Sequence, residues 1–320
     1  MLINTEAYRG GHEGIFYYGL ETADYPSGVS VPNPAVPASV VWGGWADVPE
    51  EVVDDGTKEV YGLGSDDPQV IVPGGRTHTL SVTTRLANKG LLQKCFKGSG
   101  GYRNLADLCL VIGHSNVSSA GASRALRFAK CNSGTINFSE GSAQDITAAL
   151  QFWGLAEESF SVQTPTSTDI LAYGAPLTWH NVTEVNIGSY NVRDTLSSMS
   201  LTWNNNLERK GFRPDHGISS VWARTTYALL PRQKSYGCEM TFHSPDVAAE
   251  VLELMGSATA TGAFSIVVTD AGSSIQGNTA RTFTFTGGIG RIRTRTRRGG
   301  DSAQELMGSI SLALKSLALT

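Results

Sequence analysis

A stretch that occurs twice constrains this chain more than any other feature. Near the C-terminus, Arg281 to Ser316 reads RTFTFTGGIGRIRTRTRRGGDSAQELMGSISLALKS. In the first half, SRALRFAKCNSGTINFSEGSAQDITAALQFWG carries the same pattern. Ser142-Ala143-Gln144 returns as Ser302-Ala303-Gln304, 160 residues later, whereas Arg124 and Phe128 match Arg281 and Phe285 at 157. The difference implies a short insertion between strands. Leu306, Gly308, Ile310, Leu312 and Leu314 alternate with Glu305, Ser309, Ser311 and Lys315, the period of a strand with one buried face. Ile146, Ala148, Leu150 and Phe152 alternate in the same way. Arg298-Gly299-Gly300-Asp301 supplies a turn tolerant of positive φ.

The repetition extends upstream. HTLSVTTRLANKGLLQKCFKG and YGCEMTFHSPDVAAEVLELMG end at Gly98 and Gly256, an offset of 158, and each predicts a strand followed by a short helix. Asn88 and Asp246 stand before those helices as N-cap types. LADLCLVIG and GAFSIVVT then predict buried strands, and Trp45 and Trp203 also sit 158 apart. The expected fold is mainly β: two tandem copies of a strand-rich unit, each with one short α-helix. A chain of 320 residues has room for two such units, each burying its own core.

The expected organisation is an arm over 1–35, marked by Pro26, Pro32 and Pro34, a first domain over 36–158, a linker over 159–176 and a second domain over 177–320. Cys95, Cys109, Cys131 and Cys238 lack metal-ligand spacing and are expected as reduced core residues of a protein made in a cytosol. The N-terminus lacks a signal pattern, and no apolar run approaches the roughly 20 residues of a membrane helix.

Charge divides the copies. Residues 1–160 hold eleven Lys and Arg against seventeen Asp and Glu; residues 161–320 hold fourteen against twelve. The contrast concentrates in one segment. Glu50 to Thr77 includes Asp54, Asp55, Asp66 and Asp67, with seven acidic residues against two basic ones. Its counterpart 158 residues on, Glu208 to Ser235, includes Arg209, Lys210 and Arg213, with six basic residues against two acidic ones. One reading is two solvated loops that drifted apart in charge. The other is assembly, in which opposite signs select a copy-two neighbour for each copy-one loop. A second conspicuous row, Arg291, Arg293, Arg295 and Arg297, is expected to project from one strand face. The corresponding first-copy strand carries Thr135, Asn137 and Ser139.

Catalytic patterns fail. In LVIGHSNVSSAG, Ser115 mimics a hydrolase nucleophile elbow, but Val117 stands where the second glycine is needed for the tight turn. His12, His78, His114, His180, His216 and His243 show no metal-binding spacing, so no metal or cofactor is expected. Trp42, Trp45, Trp153, Trp179, Trp203 and Trp222 fit core or interface packing better than a carbohydrate platform.

Two tandem units of strand, short helix, paired strands and long closing hairpin with a GGDSAQ-like turn resemble the tail tube proteins of long-tailed bacteriophages and related viruses. The likeness is to the duplicated type, in which three chains form a ring of six similar domains. The resemblance covers about 36–320 and rests on element order and spacing. It implies tail-tube β-sandwich or barrel domains and a structural, non-enzymatic virion protein assembled in the host cytoplasm. Homotrimeric rings would stack into a hollow tube for genome passage. The implied partners are other copies of the chain and tail terminator, tape measure and tail-tip proteins, with double-stranded DNA only transiently in the lumen and no membrane. A baseplate hub, distal tail ring or secretion-system tube is the alternative on the same fold; a carbohydrate-binding or hydrolytic β protein is the third class. Four arginines per chain in the bore would retard DNA, so the arginine row is placed at a subunit or ring contact. A lumen or solvated strand face is the competing placement.

Overall fold

A computed structural model describes residues 14–21, 37, 40–47, 49–54, 56–64, 66–72, 74–96, 105–114, 124–140, 145–159, 176–214, 224–243, 262–272, 280–297 and 308–320. The fold is mainly β. In the first half the strands are β1 (Gly14–Leu20), β2 (Val41–Trp42), β3 (Glu50–Asp54), β4 (Lys58–Tyr61), β5 (Pro68–Val72), β6 (Gly75–Arg85), β7 (Leu108–His114), β8 (Arg124–Ser139), β9 (Thr147–Gly154) and β10 (Ala156–Ser159). In the second half they are β11 (Val182–Ile187), β12 (Tyr190–Asn191), β13 (Leu196–Asn204), β14 (Leu207–Pro214), β15 (Arg224–Pro231), β16 (Ser235–Phe242), β17 (Ala263–Asp270), β18 (Arg281–Arg297), β19 (Gly308–Leu314) and β20 (Ala318–Leu319).

The helix expected after Asn88 is α1 (Lys89–Cys95), and Asn88 caps it. Its Oδ1 accepts the Leu91 amide at 3.0 Å and its Nδ2 donates to the Trp42 carbonyl at 3.0 Å, with the residue 4% exposed. Asn88→Ala strips a buried cap and leaves two backbone groups unsatisfied, so it is expected to cost about 1–3 kcal/mol, read as a shift in the urea midpoint. The second expected helix, after Asp246, lies outside the described residues, as does the expected linker over 159–176 except for its end residues, of which Ser159 belongs to β10.

Pairing follows the same order in both halves. The first runs β3–β6–β9–β8 and continues from β8 through β7 to β1. The second runs β13–β16–β19–β18 and continues through β17 to β11. All these ladders are antiparallel. The long strands β8 and β18 serve both parts, their early residues pairing with β7 and β17 and their late residues with β9 and β19. The two series join where β8 pairs with β13, from Ser139 opposite Ser198 to Ser133 opposite Asn204.

The alternation in the sequence holds. Gly308, Ile310, Leu312 and Leu314 are buried, as are Ile146, Ala148, Leu150 and Phe152. Two expectations change. Residues 14–20, assigned to an arm, form β1 with Phe16, Tyr17 and Tyr18 buried. Their partner β7 lies almost a hundred residues away, so no local pattern announces the pairing. The core is also continuous rather than one per half. Phe96 stacks at 4.7 Å on Trp203 and 6.4 Å from Phe285, and Phe138 meets Phe285 at 6.3 Å.

Beside β1, Arg127 is fully buried and held by the Glu21 carboxylate through Nε and Nη2, both at 2.9 Å, and by Glu158 at 2.6 Å. Glu21 also accepts the amide of Phe128, whose φ of +52° sits at a register shift of β8 against β7. Burial alone would lower the Arg127 pKa; the Glu21 and Glu158 carboxylates outweigh it and push the value up.

The four cysteines are free and buried, and burial raises the pKa of Cys109 to about 12 and pushes those of Cys95 and Cys238 upward. Thiols so shielded are poor nucleophiles. No helix among the described residues is long and apolar enough to cross a membrane.

Candidate assembly surface

Cross-strand pairs identify equivalent positions more strictly than sequence offsets do. Leu80 lies opposite Glu51, and Cys238 opposite Leu201. With β6 and β16 related by 158 residues, β3 and β13 are therefore related by 150. The structural equivalent of Trp203 is Val53, not Trp45. Asn206 and Gly56 then correspond, and both have positive φ, +47° and +56°.

The arginine row also changes its partners. Cys131 and Ser133 lie opposite Phe152 and Gln151, leaving Asn132 as an extra residue; Ile292 and Thr294 lie opposite Leu312 and Ser311, leaving Arg293. Both long strands thus carry a bulge at the same place. Arg291, Arg293, Arg295 and Arg297 match Lys130, Asn132, Gly134 and Ile136, rather than the Thr135, Asn137 and Ser139 expected from the sequence. Arg291 is opposite Ala313, whereas Arg295 and Arg297 are opposite Ile310 and Gly308, the other parity of β19.

What the bulge does is visible in the first half. The Asn132 carbonyl accepts the Asn205 amide at 2.7 Å, and its Oδ1 accepts the Leu207 amide at 3.0 Å. Asn205, fully buried, donates from Nδ2 to the carbonyls of Cys131 at 2.9 Å and Cys95 at 3.1 Å. The bulge therefore locks the turn that follows β13. One step along, Gly134 lies opposite Trp203, and a Cβ there would stand 2.2 Å from the indole. Glycine is required by that close approach.

The two edges equivalent to this junction have no partner among the described residues. The edge of β3 away from β6 is open, and so is the edge of β18 away from β19 over residues 289–297. These are the equivalents of β13 and β8, the two strands that do pair.

The charged segments form hairpins. β4 pairs with β5 in a separate two-stranded sheet, and β14 pairs with β15. Asp54, Asp66 and Asp67 are exposed; Asp55 lies outside the described residues. The β4–β5 hairpin also exposes Tyr61, Leu63, Val70 and Ile71, with Leu63 fully open at 109%. Edges and apolar side chains presented this way mark interaction surfaces. The basic hairpin, by contrast, lies against the first half. β15 pairs in parallel with β6 at Arg224 opposite Gly75, and the Arg209 guanidinium sits 4.0 Å over the Trp153 ring. Burial lowers the Arg209 pKa, and the field of Asp54 opposes that. Lys210 is ion-paired with Glu208, which also holds Arg232. Arg213 belongs to β14. The acidic residue Asp54 and the basic hairpin thus meet where β14 and β15 lie against the first half.

The face of the joined sheet away from the core is hydroxyl-rich, with Asp47 and Glu50 at one side of it. One row crosses it as Ser81, Gln151, Ser133, Asn204 and Ser235, and the next as Thr83, Ala149, Thr135, Thr202 and Gly237. Together they floor a depression of about 520 Å³. Arg85, at one side, is ion-paired with Asp47 and Asp145. Behind this face Ala148, Ile136, Leu201, Cys238 and Leu312 form a buried row.

Among the tryptophans, Trp42, Trp179 and Trp203 are buried, Trp153 is stacked under Arg209, and Trp45 is 39% exposed. Ser115, Trp222 and the Ser302 turn lie outside the described residues. No protein-family model matches the chain, and no curated protein matches it in sequence. Sequence reasoning did not find the paired bulges, Asn205 or the Arg127 cluster. Alternation alone carries no mark of an extra residue in a ladder.

Proposed function

We propose that this chain is a structural virion subunit with two tandem tail-tube domains, three chains closing a ring and rings stacking into the hollow tail tube that conducts the genome. One observation carries the reading. The β8–β13 ladder joins first-half and second-half strands through positions whose equivalents, in late β18 and in β3, have open edges. Repeating that ladder between chains pairs β18 of one copy with β3 of the next and covers both of these edges. On the mapping above, Asn132 becomes Arg293, and Asn205 and Asn206 become Asp55 and Gly56. The in-chain amide lock is thereby replaced by an arginine set against an aspartate of the neighbouring copy.

Charge and surface chemistry fit this assignment. The acidic hairpin of one copy would lie against the Arg232 to Lys234 end of its neighbour, as the basic hairpin lies against the first half within one chain. The hydroxyl-rich face is assigned to the bore. DNA is retained by Lys and Arg that displace phosphate counterions; Ser, Thr, Asn and Gln displace none, and Arg85 is already paired. Structural rather than enzymatic work follows, with terminator, tape measure and tail-tip proteins as partners at the ends of the tube and the virion tail as its location. Electron microscopy of purified protein tests the assignment. Uniform tubes built of three-chain rings are the expected result. Isolated rings would favour the baseplate or distal-ring reading of the same fold, and dispersed monomers at high concentration would overturn both.

A further inference from the structure

A second cluster joins β3, the strand with the open edge, to its neighbours. Glu51 on β3, His78 on β6 and Glu157 on β10 bring one donor atom each to within 4.8 Å of one another. His78 is 3% exposed, and Oε1 of Glu51 is buried without a hydrogen-bond partner. The three residues span 106 positions of sequence, which is why histidine spacing predicts no metal site. We propose that Glu51, His78 and Glu157 form a site for one divalent transition-metal ion of the zinc class.

The ligand chemistry selects that class. An imidazole nitrogen with two carboxylate oxygens suits zinc and its neighbours, whereas calcium and magnesium require oxygen-rich shells. Bonds of about 2.1 Å around a tetrahedral ion set ligand atoms about 3.4 Å apart, so the three groups close by small side-chain rotations, and water takes the fourth position. Charge balance points the same way. Arg124 on β8 pairs with Glu157 at 3.1 Å and supplies one positive charge against two carboxylates. Without an ion, the remaining charge is met by a proton. Burial first, then the Glu157 charge, raise the Glu51 pKa to about 7, with Arg124 opposing them. Below about pH 7 a cation must displace that proton, whereas at pH 8 it meets carboxylates that are already ionised.

The cluster belongs to the first half alone. The cross-strand equivalents of Glu51 and His78 are Leu201 and Tyr236, which offer no such ligand pair. An ion here ties β3, which carries the open edge, to β6 and β10, and it does so independently of any assembly.

The test uses untagged full-length protein stripped with chelator and titrated with Zn²⁺ by calorimetry, with thermal midpoints in parallel. One ion per chain at pH 8, a raised midpoint, and affinity at least about tenfold weaker at pH 5.5 are expected, because protons compete for the ligands. Glu51→Gln keeps the shape and removes the charge; it is expected to weaken zinc binding at least about tenfold. In zinc-free buffer at pH 8 the same variant is expected to melt above the parent, since a carboxyl whose folded pKa exceeds its unfolded value loses stability as pH rises from about 4.5 through 7. That second readout shows the variant folded. Failure to bind one zinc per chain at pH 8, or parent-like affinity in Glu51→Gln, overturns the site.

Discussion

Arg127→Met is expected to cost about 3–5 kcal/mol of stability, because it leaves Glu21 as a buried carboxylate without its counter-charge. Glu21 is 1% exposed at its side chain and takes two of the guanidinium's hydrogen bonds, so water cannot replace the lost partner. The damage extends to the backbone. Glu21 also accepts the amide of Phe128, at the left-handed residue that bends β8 past Cys109. Losing the cluster releases β1 and the start of β8 together. Glu158→Gln, whose side chain is 28% exposed, is expected to cost far less, because solvent screens that arm of the cluster. The check is urea denaturation of the three proteins side by side. A loss of under about 1 kcal/mol in Arg127→Met would show that the ion cluster does not hold the two strands.

Reversing one charge at the proposed chain-to-chain ladder is expected to abolish rings. Asp55→Arg sets a second cation against Arg293 of the neighbouring copy, and like charges placed together in an interface cost several kcal/mol. The subunit itself is expected to stay folded, since Asp55 adjoins the exposed Asp54 and Gly56 at the end of β3. Arg293→Asp alone is expected to fail in the same way. Combining the two restores an opposite-charge pair with its polarity exchanged, and rings should return. Sedimentation velocity and negative-stain microscopy read all four states. Equal failure of the double variant would remove Asp55 and Arg293 as direct neighbours and with them the repeated-ladder geometry. Reversal of Asp66 and Asp67, on the acidic hairpin, addresses hairpin contacts separately and is expected to shorten or prevent tubes.

Much of the local structure was legible. Alternation located β9 and β19, Asn88 marked the start of α1, and the strongly apolar LADLCLVIG and GAFSIVVT stretches became β7 and β17. Each of these signals lives within about ten residues of chain. The opposed charges of the two hairpin segments were equally plain. The candidate contact surface was legible in composition but not in register. Arg291 to Arg297 form an unbroken alternate row in the sequence, yet the bulge at Arg293 sets Arg291 out of phase with Arg295 and Arg297.

The sequence by itself determined that the chain is mainly β, that its pattern repeats, and that equivalent segments carry opposite charge. Those properties depend on side-chain period and residue type, which pairing cannot alter. Tertiary structure alone decided which strands meet: β1 with β7, β8 with β13, and Glu51 with His78 and Glu157. It also decided the register, through the bulges at Asn132 and Arg293. Because strand side chains alternate with period two, one extra residue inverts every face beyond it. The backbone then settles where long-range hydrogen bonds and buried side chains are satisfied together, a condition that involves residues far apart in the chain.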